Sequence, residues 1–203
     1  MKHEAKDFNH LLGKLAGFSE KMLNAHFTLY QGYVKKLNEI EEKLAKTDKS
    51  SANYSFGEFS ELKRREAVAF NGTFLHELYF EAMNAKKTGK TEASTVLKKA
   101  VDESFENWEE MVKNMKAAAN STPGWVLLTF SKIDRKLHTY IMFEHHVGLP
   151  AHQEIILVLD CWEHAFMIDY GIGKADYLNA YFNVVDWDVV SKRLDKAMEN
   201  EKV

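Results

Sequence analysis

Only two prolines occur in the 203 residues, Pro123 and Pro150, so no proline interrupts a helix anywhere before residue 123. The first half uses that freedom. From Ser19 to Lys46 the apolar residues Met22, Leu23, Phe27, Tyr30, Val34, Leu37 and Ile40 recur at three- and four-residue steps, the spacing of one helix face, and Ser19 suits the N-cap. The polar, turn-rich stretch "AKTDKSSANYSFGE" reads as a loop. A second long helix is then predicted from about Glu58 to Ala85, with Leu62, Ala69, Phe70, Phe74, Leu78 and Met83 facing inward. The two helices should pair as an antiparallel hairpin. Gly89 and Lys90 break the pattern, and an N-terminal α-hairpin domain (1–89) is expected to give way here to a C-terminal α/β domain (90–203).

The second half changes character. A helix is predicted from Glu92 to Ala119, carrying Val96, Leu97, Phe105, Trp108, Met111 and Val112. After "NSTPG" come three strand-like runs, "WVLLTFSK", "KLHTYIMFEH" and "EIILVLD", the first two joined by a turn at "KIDRK". Helical periodicity resumes after Asp160. The order of elements predicts an α+β fold, with a small three-stranded antiparallel sheet and flanking helices.

A formal net charge of −3 gives no reason to expect nucleic acid or an anionic membrane as partner. No apolar run approaches the roughly 20 residues of a membrane span. The opening "MKHEAKDFNH" lacks the apolar core of a signal peptide, and the lone Cys161 suits a reducing compartment, so a cytoplasmic protein is expected.

The chemistry concentrates in "LVLDCWEHAFMIDYG", where Asp160, Glu163 and His164 stand among Cys161, Trp162, Ala165 and Phe166. Charged groups in such company are costly to bury unless paired or bound to a metal. Residues three or four apart on a helix share a side, so Asp160 and His164 are suited to present two ligands together. His26 and His76 each lie on one of the long apolar helices, and a hairpin would bring both imidazoles to one depth. Three imidazoles and a carboxylate suit iron, manganese or zinc. Against this, a single histidine on an apolar helix face is more often a hydrogen-bonded core residue, and an aspartate there is often only an N-cap.

"DCWEHAFMIDY" resembles the D-x-W-E-H-A-(Y/F)-x-x-(Q/D)-Y signature of the iron/manganese superoxide dismutases. The likeness continues along the chain. "HFTLYQGYVKKLN" is similar to the family's first-ligand helix, "AFNGTFLHELYF" to its second, "PGWVLL" to its Gly-Trp strand, and "YLNAYFNVVDWDVVSKRL" to its closing segment, with Asp186 where asparagine is usual. The resemblance implies an enzyme that converts superoxide to O2 and H2O2 by alternating M3+ and M2+ at one iron or manganese ion per subunit. It makes His26, His76, Asp160 and His164 the metal ligands, Tyr33 the tyrosine at the mouth of the substrate channel, and Trp125 and Trp162 the walls of the pocket. Glu163 would reach the ligand histidine of a second subunit, in a homodimer or homotetramer.

Three features depart from the family pattern. Tyr33 follows His26 by seven residues, one fewer than expected, so a helical bulge is expected to be missing. Tyr30 and Met167 stand where a histidine and a tyrosine usually meet across the subunit interface. The usual outer-sphere glutamine is absent; His145, fifteen residues before Asp160, is the favoured replacement and His146 the alternative. The sequence leaves open iron against manganese, and two subunits against four. A zinc hydrolase using the same ligands would want a nearby general base, and His76-Glu77 does not extend to H-E-x-x-H. A non-enzymatic metal-binding protein of this fold is the remaining alternative.

Overall fold

The computed structural model describes residues 2–50, 52–85 and 91–199. Helix α1 (Glu20–Lys46) starts where the Ser19 hydroxyl accepts a hydrogen bond from the Met22 amide at 3.0 Å. It runs as uninterrupted α-helix, without a bulge between His26 and Tyr33. Its buried face is Met22, Leu23, His26, Phe27, Tyr30, Val34, Leu37 and Ile40. Helix α2 (Glu58–Glu81) packs antiparallel against it and buries Ala69, Gly72, Thr73, Leu75, His76, Glu77, Tyr79 and Phe80.

Two expectations for α2 need correction. The helix ends at Glu81, not near Ala85, because the following backbone pairs with the chain's C-terminal part: the Asn84 amide donates to the Val184 carbonyl, the Asp186 amide to that of Ala82, and Met83 bridges Val185. Phe70 lies outside the inner face and is 44% exposed, since the contact with α1 runs through Ala69, Thr73, His76 and Phe80. The expected domain boundary at residues 89/90 lies outside the described residues.

The single helix predicted over 92–119 is two, α3 (Thr95–Phe105) and α4 (Trp108–Asn120). Glu106 has φ +72°, which ends α3, and the Asn107 side chain then caps α4 by accepting from the Glu110 amide at 2.9 Å. Strands β1 (Trp125–Ser131), β2 (Leu137–Met142) and β3 (Gln153–Asp160) form an antiparallel sheet in the order β2-β1-β3. Every β1 residue is buried, as a central strand covered on both faces requires. The register sets Trp125 opposite both Met142 and Asp160, so the indole and the carboxylate share one end of the sheet.

After β3 come a short 3-10 turn (Glu163–Ala165), α5 (Met167–Tyr170), α6 (Lys174–Val184) and α7 (Trp187–Glu199). One apolar core runs from Phe8 through α1, α2 and the sheet to Ala197; a smaller cluster of Leu37, Ile40 and Ala69 fills the far end of the hairpin. Arg193 on α7 donates to the Leu78 and Ile156 carbonyls and pairs with Glu81 at 3.0 Å, binding α7 to both α2 and β3. No helix among the described residues is long and apolar enough to cross a membrane.

Candidate metal centre

Four elements deliver one polar side chain each to the junction of hairpin and sheet. His26 comes from α1, His76 from α2, Asp160 from the end of β3 and His164 from the 3-10 turn after it. Asp160 closes a strand, as the "EIILVLD" run predicts, and His164 sits on a 3-10 turn where the spacing suggested the face of an α-helix. One donor atom from each of the four lies within 4.8 Å of the others. Asp160 Oδ2 is the hub, with Nε2 of His26 at 3.1 Å, of His164 at 3.2 Å and of His76 at 3.6 Å. His26, His76 and Asp160 are buried, and His164 is partly open.

Protonation fits a cation site. Burial, the largest influence on His26 and on His76, pushes both imidazoles below their ordinary value, so both are neutral near pH 7. Burial alone would raise Asp160, but the imidazoles of His164 and His26 hold its carboxyl well below the usual carboxylate range. His76 Nδ1 donates to the Gly72 carbonyl, which leaves its Nε2 as a bare lone pair facing the cluster. His76 Nε2 and His164 Nε2 face one another at 3.5 Å. The contacts of 3.1, 3.2 and 3.6 Å from the Asp160 oxygen to the three imidazoles match the roughly 3–4 Å between donors set about 2.1 Å from one ion. The residues fit a nitrogen- and oxygen-ligated divalent or trivalent metal.

A second ring of side chains encloses the four. Tyr33 lies over His76, ring centroids 5.5 Å apart, and its hydroxyl is 2.7 Å from His145 Nε2. His145 is buried and its Nδ1 accepts from the Trp125 indole at 2.9 Å. His146 is exposed, so of the two candidates it is His145 that reaches the site. Burial lowers the His145 imidazole; burial first, then the Asp160 and Glu144 carboxylates, raises the Tyr33 phenol. Trp125 stands edge-on to His76 at 4.9 Å, and Trp162 lies 5.6 Å from His145. Glu163 is exposed and outside the cluster.

Several supports have no marker in the sequence. Gly72 gives Tyr33 its room, since a Cβ there would fall inside the phenol ring's contact distance. The Asn71 amide donates to the His145 carbonyl at 2.6 Å, and the Tyr177 hydroxyl to the Asp160 carbonyl at 2.7 Å. Tyr30 turns away from the cluster to Glu77 and Lys6: its hydroxyl donates to Glu77 Oε1 at 2.8 Å and accepts from the Lys6 amide at 2.9 Å.

Known proteins resemble this chain along most of its length. The family described as iron/manganese superoxide dismutases, C-terminal domain, matches residues 93–193. The chain is 36% identical to the iron superoxide dismutase of Aquifex pyrophilus over 202 residues, covering 97% of this chain and 94% of the relative. It is 32% identical to manganese superoxide dismutase 2 of Haloferax volcanii over 182 residues, 89% of each chain. A relative from Propionibacterium freudenreichii subsp. shermanii, named for both metals, is 31% identical over 175 residues, 85% of each. With likeness to named relatives running through nearly its whole length, the chain belongs to the iron/manganese superoxide dismutase family.

Proposed function

We propose that this chain is a superoxide dismutase, converting superoxide to O2 and H2O2 with one iron or manganese ion per subunit. The observation that carries the reading is the meeting of three imidazoles around one buried carboxylate oxygen, in a chain of this family. Iron or manganese, when bound, supplies the alternation between the +3 and +2 states that takes an electron from one superoxide and returns it to the next. In this reading His26, His76 and His164 give Nε2 and Asp160 gives an oxygen; the neutral imidazoles leave Asp160 as the single protein charge to offset the ion. Thiolate softness, which would favour other metals, is absent from the set. Peroxide leaves with two protons, and Tyr33, a half-buried phenol bonded to His145, is placed to hand one over. Trp125 and Trp162 keep bulk water from the pocket.

The subunits pair, as a homodimer or homotetramer, through the face that carries Glu163. Supporting this, Glu163 is exposed beside His164, and Met167 and Ile168 immediately after it are 46% and 42% exposed. Trp162 Nε1 is buried with no acceptor among the described residues, a donor that a second subunit or a bound oxygen species would complete. The single cysteine favours a cytoplasmic location, and the division into hairpin (1–89) and α/β (90–203) domains follows the sequence pattern.

The test is expression in iron- and in manganese-supplemented medium, followed by metal analysis and a superoxide assay. About one iron or manganese per subunit with dismutation is expected. Bound zinc without dismutation, or no stoichiometric metal, would overturn the reading.

A further inference from the structure

His145 stands between an indole and a phenol, and the indole decides how the other two share their protons. Trp125 Nε1 is 2.9 Å from His145 Nδ1. An indole nitrogen only donates, so Nδ1 accepts, and it does so only when it carries no proton. A neutral imidazole then holds its one proton on Nε2, which lies 2.7 Å from the Tyr33 hydroxyl oxygen. Nε2 donates and the phenol oxygen accepts. The phenol's own proton has no place in that contact.

The opposite arrangement fails on geometry. Were Tyr33 to donate to Nε2, the imidazole proton would move to Nδ1 and meet the indole N–H head on. Trp125 has no freedom to turn away, being fully buried in the central strand and packed edge-on against His76 at 4.9 Å. A flip of the imidazole would break both hydrogen bonds at once, and the His145 backbone is held by Asn71 at 2.6 Å. Trp125 and His145 are buried, whereas Tyr33 is half-buried and borders the open groove between α1 and α2.

We propose that Trp125 is a positioning residue that locks His145 as its Nε2–H tautomer and thereby makes Tyr33 a one-way donor, accepting from His145 and releasing its own proton only toward the bound anion. The tautomer itself follows from the three side chains; the part concerning the anion rests on the dismutase reading.

The tautomer is read by long-range ¹H–¹⁵N NMR on zinc-loaded protein, zinc being diamagnetic and suited to these ligands, with His145 assigned through its loss in His145→Gln. The expected result is an unprotonated Nδ1 and a protonated Nε2, with the Nδ1–H tautomer emerging in Trp125→Phe. Should that variant not fold, benzothienylalanine at position 125 keeps the ring shape and deletes the donor. In the iron- or manganese-loaded enzyme, His145→Gln, whose amide accepts from Trp125 and donates to Tyr33, should turn over about tenfold or more faster than His145→Glu, an acceptor on both sides. Protonated Nδ1 in the unaltered protein, an unchanged tautomer in both position-125 variants, or equal kcat in His145→Gln and His145→Glu would overturn the proposal. The expected tautomer in a protein that binds iron or manganese yet leaves superoxide untouched would overturn the functional reading and uphold the lock.

Discussion

Gly72 on α2 lets Tyr33 on α1 lie flat against it: a Cβ at position 72 would sit 2.5 Å from Cδ1 of the phenol ring. Glycine inside a helix ordinarily costs about 0.5–1 kcal/mol relative to alanine, so propensity alone makes Gly72→Ala stabilising. The contact reverses the sign, because overpacking a fitted site costs roughly 1–3 kcal/mol and the ring is already held between His76 and His145. Gly72→Ala is expected to lower stability by about 1–2 kcal/mol in urea unfolding and to reduce metal-normalised activity with metal content unchanged. A more stable, fully active variant would contradict the packing described.

Two neighbouring tyrosines should separate cleanly. Removing the Tyr30 hydroxyl strands the buried Glu77 oxygen and the Lys6 amide, a loss of roughly 1–3 kcal/mol. Tyr30→Phe should therefore unfold at lower denaturant while retaining turnover. Tyr33→Phe should show the reverse, stability within about 1 kcal/mol and turnover reduced roughly tenfold or more. Parallel denaturation and kinetic measurements on both variants check the assignment, and exchanged phenotypes would refute it.

His76→Ala removes the proposed ligand whose Nε2 is left bare by the Nδ1 bond to Gly72. Metal per subunit is expected to fall to background while far-ultraviolet circular dichroism keeps its helical form. Full metal occupancy would mean that α2 does not supply a ligand.

Acid should destabilise the metal-free protein well before carboxylates titrate. Burial first of all holds His26 and His76 below their ordinary value, so near pH 6.5 and beneath it the unfolded chain binds protons that the folded chain refuses. Stability is full above that pH and falls as pH drops, by up to about 1.4 kcal/mol per pH unit for each histidine. The depressed Asp160 works in the same direction but only below about pH 4, where an unfolded aspartate begins to protonate. Urea titrations from pH 7.5 to 5 should show the decline; a flat profile would contradict it.

Cys161 follows Asp160 and has its thiol pushed up to about 12, chiefly by burial. Thiolate is the reactive form, so at pH 8 a thiol-exchange reagent should label the folded protein slowly and the unfolded protein quickly. Rapid labelling of the native state would show the loop after β3 to be open.

The chain's readability followed how local each cause was. The α1 face and its Ser19 cap, the three strands and the four converging side chains were all legible, since period, capping chemistry and the "DCWEHAF" run are written in neighbouring residues. The break at Glu106 had a local sign too, an asparagine three residues before Glu110, but the apolar spacing ran across it. The end of α2 had none, because it is set by pairing with Val184 and Asp186, about a hundred residues on. At the site the hidden parts were partnerships: Asn71 with the His145 carbonyl, Tyr177 with that of Asp160, Gly72 with Tyr33. A donor or a vacancy in sequence has no meaning until the fold chooses its neighbour.

His26 and Asp160 are separated by 134 positions along the chain, and the ion that we assign to them would tie those distant points together as a rivet does two plates. Closing so long a loop removes much of the freedom of the unfolded chain, so occupancy and endurance would rise together. Metal-loaded protein should then outlast metal-free protein under protease, the margin widening with free metal concentration.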